Sequence, residues 1–218
     1  MQYFFTTFAF IRDHLASWVP FFVLTFFLDV LSFGFLSFHI LREAKSAYLE
    51  KRTPDTQAVL YEIPLQADFY AWFWMLGLQV ILRVLGALFF FPLYITCGLL
   101  SKHVLLLGVV GYIILFVIFL LFCTLQSILL HWYQLLYIDG YFSPKECLLV
   151  SWRYAKKMSK PVSLFCLIEN VIHVPLYFSC AVPVVITRPL IMISRVMYYE
   201  TEREHILLLA KEEGFAVQ

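Results

Sequence analysis

Charge is what this chain lacks most. Asp, Glu, Lys and Arg together supply 14% of its 218 residues, while 62% are hydrophobic. A soluble domain of that length has no core large enough to hide so much apolar surface, whereas a bilayer does. Long polar stretches are missing as well. The longest, residues 41–68, is too short for an independently folded catalytic domain. There is no G-x-S-x-G elbow, no glycine-rich phosphate loop, and no Asp/His array with nuclease or phosphatase spacing. The chain is therefore read as non-enzymatic and without a cofactor. Net charge is +1, so no bulk field points to nucleic acid. Glycine is sparse, at eight, and no small-xxx-small pattern dominates an apolar run. Helix contacts are then expected to rest on large aromatic and aliphatic side chains.

Paired cysteine is absent too. Cys97, Cys123, Cys147, Cys166 and Cys180 include no CxxC, and four lie within or at the ends of apolar runs. This spacing supports neither a disulfide framework nor a metal site, and buried free cysteine acting as a small apolar residue is expected. No cleavable signal peptide is read. The first long apolar run begins near Trp18, is too long for an h-region, and has no A-x-A site after it.

What remains is apolar runs of spanning length. The predicted fold is an all-α polytopic transmembrane bundle of about five spans, with four to six compatible, plus an interfacial amphipathic helix. The spans fall at 18–40, 69–97, 104–138, 161–181 and 183–200. Residues 2–16, rich in Phe and Tyr, are too short to cross and are placed at the interface. The 41–68 loop opens with a helical extension that Thr53-Pro54 stops. Span 104–138 is longer than a bilayer needs. Its polar last third (Gln126, Ser127, His131, Trp132, Gln134) is expected to project or to pack on other helices. Pro175 and Pro183 argue that the last apolar stretch is a hairpin of two helices.

The clearest local motif is Ser143-Pro144-Lys145-Glu146. A serine N-cap, a proline at the first helical position and a glutamate three residues after the cap form a capping box. The helix it opens, 143–159, carries Leu148, Leu149, Trp152 and Ala155 on one side. Arg153, Lys156, Lys157 and Lys160 recur on the other. That pattern predicts a basic helix lying on a membrane surface and facing anionic lipid headgroups.

Five spans put the 41–68 loop, this helix and the C-terminal tail on one side. Twelve Lys and Arg fall there, against Arg12, Lys102 and Arg188 opposite. The positive-inside rule makes the richer side cytoplasmic, with the C-terminus. Four spans give nine against six. An N-terminal segment inserted as a partial hairpin, starting inside, is the other arrangement.

Ionisable groups within apolar runs are the candidate functional residues, because a lone charge there is expensive. Asp29 and Arg83 sit at the centres of the first two spans. As neighbours at equal depth they can form a bidentate pair, read either as a clamp on helix register or as the lining of a polar pathway. Glu169, Asn170 and His173 form a second group, with Glu169 and His173 one turn apart. They can relay protons or hydrogen-bond to Gln126 or His131 of the third span. Two ligands on one helix make a weak metal signal, so no metal is assigned.

One stretch resembles a known group. Tyr137-Ile138-Asp139-Gly140, Ser143-Pro144-Lys145-Glu146, Ser151-Trp152-Arg153 and Lys156-Lys157 are similar to a pattern in bacterial inner-membrane proteins. These are akin to the membrane domain attached to some glycerophosphodiester phosphodiesterases. The run Arg195-Val196-Met197-Tyr198-Tyr199 through Arg203 looks like the aromatic-basic end of that group's last helix. The likeness covers 126–204. It implies a multi-helix bacterial inner-membrane protein, six spans being usual in the group, and transfers no catalytic residue. The function expected is a scaffold or accessory factor in envelope maintenance, with a membrane-protein partner or a second copy compatible. The rival is a small transporter or transporter subunit using Asp29, Arg83, Glu169 and His173.

Overall fold

The computed structural model describes residues 6, 9–10, 12–14, 18–21, 23–24, 27, 36–61, 65–179 and 181–215. Among these, all regular secondary structure is α-helix and no strand occurs. Most of the predicted 2–16 segment, and eleven of the 23 residues of the 18–40 span with Asp29 among them, lie outside the described residues.

Helix α1 is Ser37–Glu50. Lys51 closes it in the left-handed region, at φ +54°, where the Lys51 and Arg52 N–H groups return to the Tyr48 and Ala47 carbonyls. Glu43 then gathers the connection back onto the helix. Its carboxylate accepts from the Arg52 guanidinium at 3.0 Å and from the Asp55 N–H at 2.6 Å. Helix α2, Thr56–Tyr61, and the start of α3, Leu65–His103, complete this region. The 41–68 segment read as a loop is thus mostly helical. A folded-back carboxylate, invisible to periodicity, supplies the partners that a free loop would take from water.

Helices α3 and α4, Leu105–Leu130, form an apolar hairpin. The chain turns at Val104, which is extended at φ −140°. Gly108 lets the helices meet there, since a Cβ on it would lie 2.2 Å from Ser101 Cβ. A small residue therefore does set this contact, although further along the rings of Phe90, Phe119 and Phe122 meet edge to face as expected. Over 68–102 and 105–138 the mean hydropathy of the most apolar window is 2.0 and 3.1, with 6% of each window buried. A core helix of a soluble protein with that composition would be covered. Here Leu88, Leu105 and Leu106 are 70% or more exposed. Among the described residues, two helices are long and apolar enough to cross a membrane.

The predicted third span does not continue as one helix to residue 138. It breaks at His131-Trp132 and resumes as α5, Tyr133–Ile138. The Trp132 N–H freed by the break bonds to Ser151 Oγ at 3.2 Å, which is why the break is tolerated in a buried place. After the Asp139-Gly140 turn, with Gly140 at φ +74°, α6 runs from Pro144 to Lys157. The capping box is present. Ser143 Oγ accepts from the Glu146 N–H, and the Glu146 carboxylate accepts from the Ser143 N–H at 2.9 Å. Helix α7, Ser159–Ser179, takes Pro161 in its first turn, where no N–H is needed. Helix α8 then runs unbroken from Ala181 to Glu212, so the last apolar segment and most of the polar tail are one helix.

Helix α4 packs on α3 and α7, and α7 packs on α8. Their lower ends stand on a dense platform built from α1, α5, α6 and the C-terminal half of α8. Trp132, Tyr133, Leu136, Tyr154, Tyr199 and Ile206 fill it, each 2% exposed or less. Trp18 and Phe21 pack in a second cluster with Ile40, Ala44 and Ile193. The apolar hairpin is thus exposed while the aromatic core sits beside it, a division that suits a chain solvated by lipid at one end.

Candidate functional site

The break after α4 sets an imidazole in unusual surroundings. His131 is 3% exposed and points one ring nitrogen, Nδ1, at Cys166 Sγ of α7, 3.4 Å away. Its other nitrogen, Nε2, is buried without a hydrogen-bond partner. Trp132, Phe165 and Tyr198 wall the imidazole, with ring centroids at 4.2, 5.1 and 6.0 Å. One turn beyond Cys166 lies Glu169, 2% exposed. Both of its oxygens accept from Arg195 of α8, from Nε at 2.6 Å and from the guanidinium terminus at 2.9 Å. Asn170 completes the corner, donating to Ser127 Oγ at 2.9 Å and to the Cys166 carbonyl at 2.7 Å. The donor atoms of His131, Cys166 and Glu169 all lie within 4.8 Å of one another.

Of the predicted polar cluster, the structure brings His131, Glu169 and Asn170 to one corner. Gln126 is half-buried on α4, and Asn170 takes its neighbour Ser127 instead. The His173 side chain lies outside what the structure describes. Two partners escaped the sequence reading. Cys166 was counted only as a small apolar residue, and Arg195 only as part of a basic-aromatic helix end. A signal for Arg195 existed. Glu169 and Arg195 lie on the consecutive helices α7 and α8, so an antiparallel hairpin of the two brings them to neighbouring depths. The same logic pairs Asp29 with Arg83, but Asp29 is outside the described residues and Arg83 is exposed on α3.

A second polar network ties the platform together. Lys45 of α1 pairs with Asp139 of the Asp-Gly turn and, at 2.8 Å, with Glu200 of α8. Tyr199 donates to Asp139 at 2.7 Å, and Arg203 reaches Asp139 and Glu200 at 3.7 and 3.5 Å. Two cations against two carboxylates leave this half-buried knot neutral. Nearby, Asp68 of α3 meets His39 at 3.1 Å and Arg42 at 3.5 Å. Lys45 and Asp139 are 94 residues apart, and no local pattern joins them.

The third site is α6. Its buried face carries Cys147, Val150, Ser151, Tyr154 and Ala155. That corrects the predicted apolar side, because Leu149 and Trp152 are exposed, at 37% and 40%. The helix is apolar around more than half its girth, and the platform selected the Tyr154 side. Burial pushes the Cys147 thiol up to about 12. Hydrogen bonds from the Ser143 side chain and backbone hold the Glu146 carboxyl below its ordinary range.

Lys145, Leu149, Trp152 and Lys156 then share one exposed stripe at i, i+4, i+7 and i+11. Lys160, also exposed, follows in the first turn of α7. Arg153 and Lys157 are exposed as well, but they pair with Glu213 and Glu212 at the end of α8. No protein-family model, curated protein or solved structure matches this chain, so its likeness to the phosphodiesterase-linked membrane domains rests on the short motifs alone.

Proposed function

We propose that this is a non-enzymatic integral membrane protein of a bacterial inner membrane, a scaffold or accessory factor whose platform rests on an anionic leaflet through α6. The observation that carries the reading is the exposed stripe Lys145–Leu149–Trp152–Lys156. Basic residues at both ends of an apolar and an aromatic side chain match an interface. The ring and the leucine enter the headgroup layer, while each ammonium contributes about 1 kcal/mol beside anionic lipid. Arg153 and Lys157 contribute less, their charge being offset by Glu213 and Glu212. In this reading α7 and the first part of α8 join the α3–α4 hairpin and the N-terminal run in a five-span bundle. The platform and C-terminus face the cytoplasm by the lysine and arginine bias. A membrane-protein partner or a second copy is compatible with the uncovered hairpin.

The transporter reading draws on the same intramembrane charges. For Glu169 it is the weaker account, because a carboxylate with both oxygens held by one guanidinium is arranged as a clamp.

The test is radical footprinting of Trp152 in full-length protein reconstituted in phosphatidylcholine vesicles with or without phosphatidylglycerol. Trp152 is expected to be protected in the anionic bilayer, and the double variant Lys145→Glu/Lys156→Glu to lose that protection. Equal oxidation in both lipids would remove the lipid-facing role of α6.

A further inference from the structure

We propose that His131, Cys166 and Glu169 form a binding site for a zinc-class transition-metal ion. This inference is independent of the lipid reading. The donor set is the right kind: an imidazole nitrogen, a thiolate sulfur and a carboxylate oxygen are the three ligand types that zinc accepts.

The spacing is also close. With metal–sulfur and metal–nitrogen bonds of about 2.3 and 2.0–2.1 Å, a tetrahedral ion separates sulfur from nitrogen by about 3.6 Å. The Sγ···Nδ1 distance is 3.4 Å. Glu169, within 4.8 Å of both, reaches a ligating position by a side-chain adjustment of about 1 Å, on the same estimate of ligand spacing.

The surroundings are those of a held site. All three residues are buried. His131 obtains at Nδ1 only a weak sulfur contact for its burial. Such an imidazole is under-satisfied as it stands. Around the donors lies an outer layer of the kind that orients metal ligands. Arg195 grips the Glu169 carboxylate, each of whose oxygens keeps a second lone pair. Asn170 fixes the backbone of Cys166. The rings of Trp132, Phe165 and Tyr198 block the imidazole from rotating away. The proton balance is simple. Binding releases one proton to solvent, from Cys166 Sγ, while Glu169 is already paired as the carboxylate and His131 binds as the neutral ring. Three protein ligands leave the fourth tetrahedral position to water.

Full-length protein in detergent, stripped with a chelator and titrated with Co²⁺ and then Zn²⁺, tests this. One equivalent of Co²⁺ is expected, with a thiolate-to-metal charge-transfer band that Zn²⁺ bleaches. Cys166→Ser should abolish the band, and Cys147→Ser should leave it. Should Cys166→Ser fail to fold, Glu169→Gln is the second variant, expected to weaken binding at least tenfold. A wild-type protein that takes up no stoichiometric metal, or a band that survives in folded Cys166→Ser, overturns the assignment.

Discussion

The Glu169–Arg195 pair shows what a single buried carboxylate needs. Glu169 is 2% exposed, flanked on its own helix by Phe165, Cys166 and Ile168, and is shut off from water. Arg195 solvates it from the next helix with two hydrogen bonds. Truncating the arginine should therefore cost more than the pair itself contributes. Arg195→Met, which strands the carboxylate, is expected to lower stability by about 3–5 kcal/mol, whereas Glu169→Leu/Arg195→Met should recover most of it. Thermal unfolding of the purified variants in mild detergent checks this. Equal losses in the single and double variants would mean that the two side chains do not act as a pair. At this scale the sequence disclosed that Glu169 was costly but not who would answer it. The partner is 26 residues away, and the reading had turned to Gln126 and His131 of another helix.

Among the elements, α6 was the most legible in sequence and still misled in one respect. Its start is written locally, because a capping box involves only residues 143–146 and satisfies orphan donors within one turn. Which face it buries is not local. Leu149 and Trp152 are as apolar as Val150 and Tyr154, and only the platform's shape decides between them. The cap itself gives a pH prediction. Glu146 has its folded-state carboxyl held below the unfolded value by Ser143. Its contribution is therefore fully present above the unfolded value and is lost as pH falls through the folded one, below the ordinary glutamate range. The term is modest because the group is solvent-exposed. Ser143→Ala is expected to cost about 1 kcal/mol at neutral pH and to flatten this acid dependence. Denaturation midpoints at pH 7 and pH 3.5 measure both effects. An unchanged midpoint in the variant at neutral pH would show that the platform, not the cap, holds the start of α6.

For the whole molecule, the proposed topology makes a direct prediction. The α3–α4 turn and the end of α8 should lie on opposite sides of the membrane. Lys102→Cys is expected to react with an impermeant maleimide added to intact cells, and Lys211→Cys to react only after permeabilisation, each scored above the parent's native cysteines. Labelling of both from outside would contradict the odd number of crossings between the α3–α4 turn and the tail that five spans require. Labelling of Lys211→Cys alone would invert the orientation.

The all-α character of this protein, with apolar helices of spanning length, was legible in its sequence alone. Apolar runs too long and too numerous for a soluble core, helix stops at proline and a capping box are short-range features, and each is complete within a few turns. Tertiary structure decided what those helices do with their polar residues. It broke the third apolar run at His131, turned the predicted loop into helices folded over Glu43, and rotated α6 so that a tryptophan and a leucine face outward between lysines. It also gathered His131, Cys166, Glu169 and Arg195 at one corner. These outcomes depend on the rotation of each helix about its axis and on contacts between residues tens of positions apart. Neither is fixed by local propensity, and both are settled only when the side chains must share one buried volume.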